Sequence, residues 1–276
     1  MNLKVITKIF RSTLVPMISA LLVIPSAVLI GSTNQIPSSQ IEIYLLIGQS
    51  NMAGRGVIDA ESLETDARVL CFNKKNSWEL AKDPLHFDKP TAVGVGPGLT
   101  FGKAMAKNFT GKVIGLVPCA FGGTSIKKWD TDSRLYQVAV HRTRLAMRNG
   151  NLKGILWHQG ESDIAQSENL KNYAENLSKL ITQLRKDLES PEAPFVCSEL
   201  ADFDVKKSAL VKQFNDILHE LKMSVSNFAV INADELHHMD GIHLDTASAR
   251  ELGRRYSVAM LQLNKSKLMN NGHCNQ

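Results

Sequence analysis

Acidic residues are missing from the start of this 276-residue chain; the first is Glu42. Lys4, Lys8 and Arg11 stand there unopposed, ahead of an apolar run from Leu14 to Gly31 that Pro16 and Pro25 interrupt. A basic start followed by an apolar stretch reads as an export signal, with small residues for cleavage at Ser26-Ala27 or Gly31-Ser32. Retention of the segment as an N-terminal anchor is the alternative, and the only route to a membrane. No second apolar run reaches the roughly twenty residues a spanning helix needs. Aromatics are scarce as well, at 6%. Removing the three leader cations from the net charge of +5 leaves +2. A nearly neutral chain poor in stacking rings is not a nucleic-acid binder.

Cysteine is sparse and widely spaced. Cys71, Cys119, Cys197 and Cys274 form no CxxC pair, which argues against a zinc site. Cys119 and Cys197 end apolar runs and read as small core residues. His237, His238 and His243 make a three-imidazole site conceivable on paper, but no helical i,i+4 pair accompanies them. The expectation is an absence of metal and organic cofactors.

What the chain has is alternation. Hydrophobic residues are 43% and charged ones 21%, as in ordinary globular proteins. Residues 1–31 are the signal or anchor, and 32–40 are a polar linker. Residues 41–264 hold a single domain, and 265–276 are a polar tail. Strands are expected at 41–47, 67–72, 112–118, 152–158, 194–200 and 227–232. Helical periodicity fills the gaps at 98–108, 135–146, 170–188, 210–221 and 252–263. Strand–helix alternation implies an α/β fold, a mostly parallel sheet covered by helices on both faces. Ligands of such sheets bind beyond the carboxyl ends of the strands.

Chemistry-bearing residues cluster at those ends. After the first strand comes Gly48-Gln49-Ser50-Asn51-Met52-Ala53-Gly54-Arg55-Gly56. Ser50 is placed as a nucleophile would be, or as a helix N-cap. It does not sit in the G-x-S-x-G elbow. After the strand at 112–118, Gly122-Gly123 lets backbone approach a ligand, or simply turns the chain. After the strand at 152–158 comes His158-Gln159-Gly160-Glu161-Ser162-Asp163. Near the end, Asp240-Gly241-Ile242-His243 sets a carboxylate three residues before an imidazole. Such a carboxylate can hold Nδ1–H and leave Nε2 free as a base.

Five blocks in this order, 48–56, Gly94-Val95-Gly96-Pro97-Gly98, Gly122-Gly123-Thr124-Ser125, 158–161 and 240–243, carry a resemblance. The chain resembles the sialate O-acetylesterase-related branch of the SGNH hydrolases, which includes acetylxylan esterases and plant carbohydrate esterases. The resemblance spans residues 41–262. It implies a flavodoxin-like three-layer αβα sandwich and hydrolysis of O-acetyl esters on carbohydrate, a polysaccharide or a sialic acid. On it, Ser50 matches the nucleophile, His243 the base and Asp240 the orienting carboxylate. Glu161 is the rival acid, or a residue that positions Gln159. The oxyanion donors map to the Ser50 N–H, a backbone N–H of Gly122 or Gly123, and the Gln159 side chain. Asn51, Arg55 and Trp129 are candidate substrate contacts, with Trp78 a second ring able to stack on a sugar. The alternatives are a general carboxylesterase and a non-catalytic carbohydrate-binding protein on the same fold.

Overall fold

The structure is a computed structural model that describes residues 41–202 and 206–272. The expected signal or anchor and the linker at 32–40 lie outside the described residues. Seven strands form one sheet: β1 (Ile41–Gly48), β2 (Val69–Phe72), β3 (Trp78–Leu80), β4 (Val113–Pro118), β5 (Gly150–His158), β6 (Phe195–Ser198) and β7 (Phe228–Ile231). Their order across the sheet is β3-β2-β4-β1-β5-β6-β7. All pairings are parallel except that of β3, an antiparallel edge strand on β2. The helices are α1 (Ser50–Ala53), α2 (Ala60–Leu63), α3 (Pro97–Asn108), α4 (Arg134–Ala146), α5 (Glu161–Ile164), α6 (Tyr173–Asp187), α7 (Ser208–Leu221) and α8 (Thr246–Gly272).

Side-chain alternation along β1 builds both layers. Ile43, Leu45 and Ile47 face a core shared with Tyr136 and Ala139 of α4, Leu177, Leu180 and Ile181 of α6, and Phe214 and Leu218 of α7. Tyr44 and Leu46 face the other, with Leu99, Phe101 and Met105 of α3 and Leu252, Tyr256 and Met260 of α8. Each fully buried aliphatic side chain contributes roughly 1.5–3 kcal/mol. A strand buried on both faces therefore reads as an unbroken apolar run.

Three details differ from expectation. β3 was not anticipated, because three residues are too short for a period-two signal. The helix expected over 170–188 begins as a tighter 3₁₀ turn, Ser167–Asn172, before α6. The last helix continues to Gly272, past the boundary set at 264. No helix among the described residues is long and apolar enough to cross a membrane. Cys71, Cys119 and Cys197 are free thiols; Cys274 lies outside the described residues.

Topology positions the site. The chain moves from β1 to one side for β2–β4, then crosses to the other for β5–β7. β1 is thus the point where strand order reverses, and a crevice opens beyond its carboxyl end. Gly48 closes β1 with φ +129°, and a Cβ there would sit 2.0 Å from the His158 carbonyl oxygen. Only glycine lets β1 and β5 stay this close as they deliver their loops.

Candidate active site

Ser50 opens α1 directly beyond Gly48 and is 4% exposed. His243 comes from the loop between β7 and α8. Its Nε2 lies 3.1 Å from Ser50 Oγ, and its Nδ1 lies 2.6 Å from Asp240 Oδ2. The other oxygen of Asp240 accepts from the backbone N–H groups of Ile242 (3.1 Å) and His243 (2.7 Å). Partial burial would raise the Asp240 pKa, but these donors and the His243 charge prevail and lower it to about 2. A charged carboxylate thus holds the imidazole with Nε2 facing the hydroxyl.

Glu161 does not reach His243 Nδ1. Its Oε1 accepts from Asn51 Nδ2 at 2.5 Å and lies 3.2 Å from His158 Nε2. Burial opposes its charge, yet His158 and the Asn51 amide outweigh burial and its pKa is lowered.

A cleft of about 570 Å³ opens over Ser50 and His243. Gln49, Arg55, Gly123 and Glu161 line it, with Lys89 and Lys207 among the other lining residues. Several expected site residues take other places. Gln159 is fully buried. Its Nε2 donates to the Thr124 carbonyl (3.0 Å), to Gln49 Oε1 (3.2 Å) and to Asp163, and its Oε1 accepts from Tyr173 (2.9 Å). Its donors are spent below the cleft, so the expectation that it holds an oxyanion is corrected. Gln49, which sequence reasoning did not single out, lines the cleft beside Ser50. Its Oε1 accepts from Gln159 and from the Ser162 N–H (3.3 Å). Both partners are donors, so the amide has one orientation, with Nε2 turned away from them. The signal available was the position of Gln49, immediately before the serine.

The Gly-Gly turn divides its labour. Gly122 N–H donates to Asp88 Oδ2 at 2.8 Å, so it is not a free donor. Gly123 lines the cleft at φ +76°. Asp88 Oδ2 also accepts from Arg55 Nη2 at 2.8 Å, and the pair is almost fully enclosed. Arg55 borders the cleft, with its charge already balanced by Asp88.

Two substrate contacts are corrected. Asn51 is buried and its whole amide is used: Nδ2 donates to Glu161 and to the Ile242 carbonyl (3.1 Å), and Oδ1 accepts from the Leu244 N–H (3.0 Å). Trp129 is 1% exposed and meets Trp157 edge to face at 5.5 Å. It is a core ring, closed to a sugar. Trp78 sits in β3 at the sheet edge, with its indole N–H on Asn149. Among the described residues, no group of three or more His, Cys, Asp or Glu is arranged to hold a metal ion.

A family model described as "carbohydrate esterase, sialic acid-specific acetylesterase" matches residues 40–262. A relative from Arabidopsis thaliana named "probable carbohydrate esterase" is 33% identical over 247 residues, covering 82% of this chain and 93% of the relative. The solved structure of that plant protein superposes with a TM-score of 0.74 at 34% identity, covering 81% of this chain and 99% of that one. A carbohydrate acetylesterase from Xanthomonas citri shares the fold, with a TM-score of 0.55 at 18% identity over 79% of this chain and 55% of that one.

Proposed function

This chain belongs to the sialic acid-specific acetylesterase family of carbohydrate esterases and is a carboxylic ester hydrolase; on that premise we propose that it removes O-acetyl groups from carbohydrate through an acetyl-Ser50 intermediate. The observation that carries the proposal is the unbroken line from Asp240 through His243 to Ser50. His243 Nε2 takes the hydroxyl proton as Ser50 Oγ attacks the acetyl carbonyl carbon. Asp240 keeps Nδ1 protonated and stabilises the imidazolium. The imidazolium then gives its proton to the departing sugar oxygen. Water, deprotonated by the same Nε2, attacks the acetyl-enzyme and releases acetate.

Negative charge develops on the carbonyl oxygen, and donors aimed at that position lower the barrier most. Three flank Ser50: its own N–H, the N–H of Gly123, and the side-chain amide of Gln49. Lys89 and Lys207 border the same cleft and suit an acidic sugar, in keeping with a sialic acid or a charged polysaccharide. The basic start and apolar run of residues 1–31 support a reading in which the activity lies outside the cytoplasm.

Ser50→Ala tests the mechanism. Turnover of p-nitrophenyl acetate should fall by about a million-fold with the fold intact. Retention of a tenth of wild-type activity would overturn it. A panel of acetylated xylan, sialic acid and pectin then identifies the sugar.

A further inference from the structure

Asn51 brackets His243. Its Nδ2 donates to the carbonyl of Ile242, the residue before, and its Oδ1 accepts from the N–H of Leu244, the residue after. The bracket stands on the helix that carries Ser50. Behind it, Glu161 Oε1 accepts from the same Nδ2, and His158 stands beside Glu161 at the end of β5. Asn51, Glu161 and His158 are all buried.

Asp240 and His243 hold each other through two contacts on one loop, and the Ile242 N–H adds a third to Asp240. They therefore travel together. Their mutual geometry is local, whereas the distance from Nε2 to Ser50 depends on where the loop stands. The loop carries Gly241 at φ +79°, and its residues Met239, Asp240 and Ile242 are exposed. Nothing in the Asp240–His243 pair itself fixes the loop against α1.

We propose that Asn51 is a positioning residue, held in place by Glu161, which sets the reach of His243 to Ser50. The inference rests on the reading of Ser50 and His243 as nucleophile and base. Asn51 and Glu161 act through that pair and transfer no proton. Asparagine suits the position because its short carboxamide supplies a donor and an acceptor on one carbon. Aspartate would keep the acceptor toward Leu244, lose the donor toward Ile242, and set a second carboxylate against Glu161.

The test compares Asn51→Ala, Asn51→Asp, Glu161→Ala and Glu161→Gln with wild type on p-nitrophenyl acetate, with circular dichroism melts to give the folded fraction. Misplacing a reacting group by about 1 Å costs on the order of a hundredfold. Both Asn51 variants should lose roughly that much kcat per folded molecule, with KM within about threefold of wild type. Glu161→Ala should lose kcat by a smaller factor. Glu161→Gln, whose Oε1 still accepts from Asn51, should recover most of it. A rise in KM at unchanged kcat would make Asn51 a substrate contact and overturn the proposal. So would kcat within twofold of wild type in the folded Asn51→Ala protein. Should Asn51→Ala fail to fold, the Glu161 pair decides: equal kcat in Glu161→Ala and Glu161→Gln overturns it. Ser50→Ala separates the two layers. If that variant stays active, the underlying mechanism fails. If it is dead while Asn51→Ala is fully active, the positioning role alone fails.

Discussion

Gln49 receives a hydrogen bond from Gln159: Nε2 of the buried amide lies 3.2 Å from Oε1 of the one beside the nucleophile. The two glutamines are stacked in depth, one in the cleft wall and one beneath it. On the proposed mechanism Gln159 orients Gln49, and Gln49 donates to the oxyanion.

Their substitutions should therefore separate. Gln49→Ala removes one oxyanion donor and should lower kcat by about 10²–10³-fold with little change in KM. Gln159→Ala strips partners from Thr124, Asp163, Tyr173 and Gln49. It should cost about 1–3 kcal/mol of stability for buried groups left unpaired. Kinetics and thermal melts on both variants are the check. A large kcat loss in Gln159→Ala at unchanged melting temperature, with Gln49→Ala silent, would reverse the roles.

Asp240→Asn should lower turnover by roughly ten-thousand-fold, the cost of losing an orienting carboxylate in a Ser-His-Asp enzyme. Stability should move little, because the Asp240 side chain is half exposed. Glu161→Gln should cost far less, since Glu161 lies away from Nδ1. Both are measured on one substrate at one pH. With its pKa lowered to about 2, Asp240 keeps its charge in mild acid. Activity lost between pH 4 and 6 therefore has another source.

Asp83, 3% exposed beneath the α2–β3 region, makes a prediction about stability and pH. Burial raises its pKa to about 7, against the Gly96 backbone N–H and the charges of Arg250 and Lys103, which favour the ionised form. The folded state thus holds a proton that the unfolded chain releases near pH 3.8. Its contribution is full below that pH and is lost as pH rises through about 7. Asp83→Asn cannot ionise. Its stability relative to wild type should climb between pH 4 and 8, by a few kcal/mol at most. Urea melts at both pH values measure the difference; a pH-independent gap would show that Asp83 ionises freely in the fold.

Local chemistry was readable from residue order, and contact across the fold was not. Asp240 and His243 are three positions apart, so the chain itself brings them together. Ser50 follows a strand whose burial on both faces is written in Ile41–Ile47. The resemblance maps a donor onto Gln159, yet its partners come from Gln49, Thr124 and Tyr173 on three other segments. Trp129 follows the Gly-Gly turn closely, but the 3₁₀ turn Ile126–Trp129 rolls its ring inward onto Trp157. Asn51 sits one residue from the nucleophile and still faces away from the cleft, into the loop that carries the base.

The central place of β1 has a consequence for synthesis. It is the earliest strand of the sheet to leave the ribosome, and both its neighbours come later. Its register needs Val113 onward on one edge and Gly150 onward on the other. The nucleophile is thus translated almost first and its base almost last. A chain released before Asp240 holds a serine with no partner. Pairing of such distant segments also slows folding. The nascent polypeptide keeps one edge of its stickiest strand unpaired past the midpoint of the chain and, on the proposed mechanism, is catalytically silent until nearly complete.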